Sequence, residues 1–187
     1  VATPDHTHAV AAMAAIKRGK HVYCEKPLAH SVGEIRALMK AAQEHKVVTQ
    51  LGNQGHSFET IRVFCEWIWD GAIGSVHTIH AGCAAVNSGI DQLPRLSEKH
   101  EVPPTLDWDQ WLGPAPKRPY DADRFFRFRK YWDYSGGIAT DLFYHVMAPL
   151  TLCWGKPEFP IRVVGTGGIW AFHDRDVPDT FMLCADY

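Results

Sequence analysis

The chain has 187 residues, with 19 Lys+Arg against 21 Asp+Glu for a formal net charge of −2, and is 46% hydrophobic and 21% charged. That composition belongs to a globular protein long enough to bury a core, and it excludes a disordered chain. No apolar run reaches the roughly 18 residues that a membrane span requires, and the near-neutral charge gives no footing for nucleic acid or a lipid surface as partner.

In chain order, the Ala-rich stretch 7–18 predicts a helix closed by Gly19. Residues 20–25 form a short strand that ends at Lys26-Pro27. Ser31 with Glu34 three residues on is a capping box, and Ile35, Leu38, Met39 and Ala42 then share one helical face. Residues 47–51 are a β-branched strand running into Gly52-Asn53-Gln54-Gly55. This alternation of strand and helix predicts an α/β protein with a parallel, Rossmann-type sheet over residues 1–57.

A helix over 59–69, a strand over 75–85, a packed Pro- and aromatic-rich loop over 87–130 and a helix over 138–153 follow, with strands at 162–169 and 181–186. Residues 58–187 are accordingly expected to form part of an α+β substrate domain. The chain opens Val1-Ala2-Thr3-Pro4, with no initiator Met and no signal-peptide core, and stops inside a strand-like segment. An internal fragment of a longer protein is the expectation. Five cysteines, odd in number and without CxxC spacing, argue against a disulfide framework or zinc knuckle and for a reducing, cytoplasmic setting.

Polar loops at the ends of parallel strands face the crevice where ligands bind in open α/β sheets. Three such loops stand out: Thr3-Pro4-Asp5-His6, Glu25-Lys26-Pro27 and Asn53-Gln54-Gly55-His56. Each also reads as an ordinary turn set by Pro, Asn or Gly. Asp141 and His145 are four apart on the predicted 138–153 helix, hence on one face. A carboxylate beside an imidazole raises its pKa and suits it to general acid–base work, although a structural pair pinning the helix has the same spacing. His6 and His8 lack a metal-ligand pattern, so no metal is expected. Phe125 to Trp132 interleaves aromatic and basic residues; the economical reading is Arg127 or Arg129 contacting a substrate carboxylate or hydroxyl.

Ala2-Thr3-Pro4…His8, Glu25-Lys26-Pro27, Leu51-Gly52-Asn53-Gln54-Gly55-His56-Ser57 and Ser135-Gly136-Gly137…Asp141…His145, in this order and spacing, carry a family likeness. The sequence resembles the glucose–fructose oxidoreductase, inositol dehydrogenase and rhizopine catabolism (Gfo/Idh/MocA) family along essentially its whole length. The resemblance implies a Rossmann domain, a C-terminal domain with an open, mostly antiparallel sheet, NAD or NADP as cofactor, and a sugar or cyclitol substrate. It implies Lys26, Asp141 and His145 as catalytic residues: Lys26 bonding the reacting hydroxyl, His145 taking its proton, Asp141 holding His145 or the substrate. Thr3, Pro4, His8, Glu25, Lys26, Pro27, Asn53 and Gln54 would line the cofactor, and Lys26, Arg129, Trp132, Asp141 and His145 the substrate.

The family's Gly-rich phosphate turn is absent from these residues, so the isolated chain is expected to bind cofactor poorly and to be inactive. Ile138 after two glycines and Tyr144 before His145 depart from the family pattern and imply a bulkier pocket floor. Transient-oxidation glycoside hydrolysis with bound NAD, or a non-catalytic sugar-binding relative, remain alternatives on this scaffold. A homo-oligomer is expected for the full-length protein.

Overall fold

The computed structural model describes residues 1–82, 101–156 and 158–187. In its first part, α1 (Asp5–Ile16), β1 (Val22–Glu25), α2 (Val32–Glu44) and β2 (Thr49–Gly52) alternate as the sequence predicts. β1 and β2 pair in parallel, from Val22 opposite Thr49 to Glu25 opposite Gly52. The Ala9, Ala12 and Ile16 face of α1 closes over Val22 and Cys24 of β1, with Leu38 and Ala41 of α2 completing the core. Small residues on α1 let the helix lie close to the strands, so one narrow stripe buries all three layers. α2 starts where its capping box requires: Ser31 Oγ accepts from Glu34 N at 3.2 Å while Glu34 Oε2 accepts from Ser31 N at 2.9 Å. Such a cap stabilises a helix by about 1 kcal/mol.

A 3-10 turn at Gln54–Ser57 leads into α3 (Glu59–Trp69), with the bounds expected. The expected 75–85 strand does not form over Ser75–Gly82, and residues 83–85 lie outside the described ones. Alternation alone did not suffice there: Val76 and Ile79 are exposed, and no described strand supplies a ladder.

Of the expected packed loop, residues 87–100 lie outside the described ones. The remainder holds α4 (Trp108–Leu112), α5 (Ala122–Phe126) and a 3-10 turn at Phe128–Lys130. Leu112, Ala115, Tyr131 and Tyr134 form its core, against which Trp108, Trp111 and Phe128 pack. The Trp108 and Trp111 rings stack at 4.8 Å, and Trp108 Nε1 donates to Arg118 O at 2.8 Å. Asp107 caps α4 and Asp121 caps α5, each accepting from backbone N–H groups of the first turn.

The single helix expected over 138–153 is broken into α6 (Ile138–Asp141) and α7 (Tyr144–Cys153). Phe143 N donates to Ile138 O five residues back, whereas His145 N and Val146 N each reach only three residues back, to Leu142 O and Phe143 O. The widened and then tightened turns redirect the chain at Leu142–Phe143. Pro149 inside α7 provides no N–H for His145 O, which further loosens the start of that helix. α7 rests on α3 through Cys65 and Cys153, whose sulfurs are 3.4 Å apart, and through Trp69 Nε1 donating to Cys153 O at 2.7 Å.

β3 (Arg162–Gly168) and β4 (Thr180–Asp186) form an antiparallel ladder. Their connection is closed by the Asp179 carboxylate, which accepts from the backbone N–H groups of Trp170, Ala171 and Phe172. It is fixed to the aromatic segment by Lys130 Nζ on Asp174 Oδ2 at 2.5 Å and by Asp176 N donating to Lys130 O at 2.9 Å. Val177 on this connection lies against the Gly136-Gly137 turn that begins α6. Gly137 has φ 66° and ψ −150°, and a Cβ there would stand 2.5 Å from Val177 Cγ1. Both the backbone angle and the contact require glycine. We predict that Gly137→Ala lowers stability by about 1–3 kcal/mol; an unchanged midpoint in chemical denaturation would show that the turn relaxes around the added carbon.

Candidate active site

Glu25 ends β1, and the chain turns through Lys26 and a cis Lys26–Pro27 peptide bond. The buried His8 of α1 joins this turn to the first loop: its Nε2 lies 2.7 Å from Thr3 O and its Nδ1 2.6 Å from Pro27 O. At the end of β2, Gln54 Nε2 donates to both Glu25 oxygens at 2.9 and 3.0 Å. A Cβ on Gly52 would meet the Glu25 carboxylate at 2.5 Å, so the two strand ends approach as closely as glycine allows. Asn53 bonds His56 Nδ1 at 3.1 Å. The three loops picked out in the sequence thus converge on one crevice.

Lys26 reaches across that crevice to the second part of the chain. Its Nζ donates to Asp141 Oδ1 at 2.6 Å and to Asp141 O at 2.8 Å. The Asp141 carboxylate, only 1% exposed, accepts on its other oxygen from Arg129 Nε at 2.7 Å. The Arg129 guanidinium lies over the Phe128 ring, 4.5 Å from its centroid. Arg127 is engaged elsewhere, on Asp123.

His145 stands, exposed, in the first turn of α7. The sequence suggested that Asp141 orients this imidazole and raises its pKa. The helix break changes that: Asp141 serves Lys26 and Arg129, and no described hydrogen bond joins it to His145. Partial desolvation and then the Lys26 charge push the His145 pKa below the ordinary histidine value, against weaker opposing pulls from Asp141 and Glu25. The imidazole is therefore neutral at pH 7 and able to accept a proton.

A second set of contacts, not anticipated from sequence, surrounds the cluster. Ser135 Oγ donates to Asp5 Oδ2 at 2.6 Å and accepts from Gly137 N at 3.1 Å. Burial pushes the Asp5 carboxyl up from its ordinary value. His6 meets Trp111 O at 3.0 Å through Nε2, with its ring centroid 5.1 Å from that of Trp111 and 5.0 Å from that of Tyr134. Ser135 and Asp5 are 130 residues apart, and although each lies in a segment the sequence picked out, no local pattern announces their pairing. Trp132 is 53% exposed, and no described contact ties it to the Lys26–Asp141 cluster.

The crevice offers amide and carboxylate groups at the carboxyl ends of parallel strands, with a lysine and a neutral imidazole at its far edge. That donor set fits a nicotinamide dinucleotide. Two family models match the chain: "Oxidoreductase family, NAD-binding Rossmann fold" over residues 1–53 and "Oxidoreductase family, C-terminal alpha/beta domain" over residues 88–167. The chain belongs to the Gfo/Idh/MocA oxidoreductase family.

Among its relatives, a 2,7-anhydro-N-acetylneuraminate hydratase of Mediterraneibacter gnavus is 34% identical over 99 residues, which is 53% of this chain and 26% of the hydratase. A levoglucosan dehydrogenase of Pseudarthrobacter phenanthrenivorans is 36% identical over 76 residues, 41% of this chain and 20% of that enzyme. The chain thus matches about a quarter or less of the length of these curated relatives. An inositol dehydrogenase homologue from Azotobacter vinelandii, solved with NADH and myo-inositol, superposes with a TM-score of 0.65 at 16% identity. That alignment takes in 98% of this chain and 39% of the homologue, and at this identity it speaks to fold alone. Among the described residues no helix is long and apolar enough to cross a membrane.

The groups acting on His145 give a titration test. We predict that its ring titrates, by NMR of the carbon-bound protons, with a midpoint below that of an unperturbed histidine. In Lys26→Met the midpoint rises, because a depressing cation is gone while Asp141 and Glu25 remain. An unmoved midpoint would mean that Lys26 does not act on His145.

Proposed function

We propose that the protein transfers a hydride between a secondary alcohol of a sugar or cyclitol and NAD or NADP. The observation that carries this reading is the pairing of Lys26, from the turn after β1, with the buried Asp141, within electrostatic reach of His145 at the start of α7. Thr3, Pro4, His8, Glu25, Lys26, Pro27, Asn53 and Gln54 line the cofactor side, and Lys26, Trp132, Asp141 and His145 the substrate side. When bound, the nicotinamide supplies the hydride acceptor.

The chain's own residues do the rest. The Lys26 ammonium donates to the reacting oxygen and stabilises negative charge there as the O–H bond weakens. The neutral His145 takes the hydroxyl proton on a ring nitrogen, so that the oxygen's electron pair forms the carbonyl as the carbon gives up its hydrogen. Asp141 holds Lys26 rather than His145. Residues 1–57 carry the cofactor side and 58–187 the substrate side. The four described cysteines are free thiols, which supports a cytoplasmic setting. Exposed Val163, Val164 and Met182 on the β3–β4 ladder support assembly with a second copy.

The levoglucosan dehydrogenase supports net oxidation, and so does a relative named inositol 2-dehydrogenase 1 from Saccharopolyspora erythraea. The hydratase favours a second reading, because adding water to an anhydro-sugar is redox-neutral overall. In that reading the hydride is returned and a glycosidic bond is cleaved.

The protein carrying this sequence is to be assayed for formation of reduced nicotinamide with a panel of sugars, cyclitols and aryl glycosides. We expect turnover of one alcohol class, reduced by about 10²-fold or more in Lys26→Ala and His145→Ala. Glycoside cleavage without net reduction of cofactor would replace net oxidation by the redox-neutral reading. No turnover of either kind would overturn the assignment of an enzyme.

A further inference from the structure

A lysine ammonium is a compact charge on a flexible four-carbon stem and carries no orientation of its own. Lys26 is placed by two acceptors on a single residue, Asp141 Oδ1 and Asp141 O. The backbone oxygen is fixed by α6, but the carboxylate oxygen is only as fixed as the rotation of the side chain that bears it. Terminal torsions of aspartate are broad, so one hydrogen bond does not define them. The second carboxylate oxygen is held by Arg129 Nε at 2.7 Å, on the side away from Lys26.

Arg129 is itself immobilised. Its guanidinium plane lies over Phe128, and its backbone belongs to the 3-10 turn Phe128–Lys130. Lys130, the next residue, is wholly buried and bonded to Asp174, and its carbonyl accepts from Asp176 N and Val177 N. A rigid line therefore runs from the β3–β4 connection through Lys130 and Arg129 to Asp141, and from there to Lys26.

We propose that Arg129 is a positioning residue: by bonding Asp141 Oδ2 it locks the carboxylate rotation that would otherwise carry Oδ1 away from Lys26 Nζ. Arg129 thus acts through Asp141 and not by direct contact with substrate. The proposal rests on the reading of Lys26 as the group that bonds the reacting oxygen. A misplacement of about 1 Å at such a group costs on the order of 10²-fold in rate.

Two arms test it in the protein carrying this sequence. In steady-state kinetics with the substrate class found above, Arg129→Gln lowers kcat by about 10- to 100-fold with KM little changed. Arg129→Lys, which keeps a charged donor beside Oδ2, recovers much of the loss. A raised KM with kcat intact would place Arg129 on the substrate and overturn the proposal. A loss of activity that merely follows a lowered unfolding midpoint, without recovery in the lysine variant, would reduce Arg129 to a structural support and overturn it equally.

The second arm needs no substrate: acetylation of Lys26 by acetic anhydride at fixed pH, read by mass spectrometry of its peptide. Lys26 is protected in the wild type and in Arg129→Lys, and loses that protection in Arg129→Gln. Equal labelling in all three sinks the proposal even if hydride transfer is found. If no turnover is found in the wild type, the functional reading fails while the labelling still decides whether Arg129 holds Lys26 through Asp141.

Discussion

One carboxylate organises the molecule. Asp141 is withdrawn from water, and its two oxygens are shared between cations from different parts of the chain, Lys26 115 residues away and Arg129 12 residues away. Burying this carboxylate between two partly buried cations carries a desolvation cost that their attraction repays only when geometry and hydrogen bonding are complete. Such a triad is weak evidence for stability. It is better evidence for placement, since the Asp141 carboxylate tolerates burial only where both cations stand. The turn after β1, the 3-10 turn after α5 and the end of α6 are thereby brought to one point.

The remaining contacts across the crevice support that point without duplicating it. The N-terminal end of α1 carries three buried polar residues, each with a different partner. Asp5 takes the Ser135 hydroxyl, His6 takes Trp111 O, and His8 ties Thr3 to Pro27. These side chains are the ones a helix start would ordinarily leave in water, and burying them is tolerable because each finds a partner. The aromatic block from Trp108 to Tyr134 then has a physical task in the fold: its Trp111 and Tyr134 rings cover His6.

What the sequence disclosed and what it did not divide along a physical line. Local periodicity and caps located α1, β1, α2, β2 and α3, because those elements depend on neighbours within a few residues, as the Ser31–Glu34 box illustrates. The three loops at the strand ends were legible for the same reason. The family resemblance supplied Lys26, Asp141 and His145, but not how they connect. Their wiring depends on a helix break that no Gly or Pro at Leu142–Phe143 announces, and on Arg129, whose basic-aromatic surroundings resembled a ligand-binding face. Ser75–Gly82 failed as a strand because alternation specifies a strand only where a ladder and a buried face exist to receive it.

The break between α6 and α7 decides the chemistry the cluster can perform. In an unbroken helix Asp141 and His145 would lie one turn apart, and a carboxylate bonded to the imidazole would favour its protonated form. A histidine already carrying a proton cannot take one from an alcohol. With the helix interrupted, the carboxylate is spent on Lys26 and Arg129. Partial desolvation, and after it a lysine charge that outweighs the carboxylate's, then lower the imidazole pKa. Under the proposed hydride transfer, the cation and the neutral base thus come from two elements, Lys26 from the turn after β1 and His145 from α7.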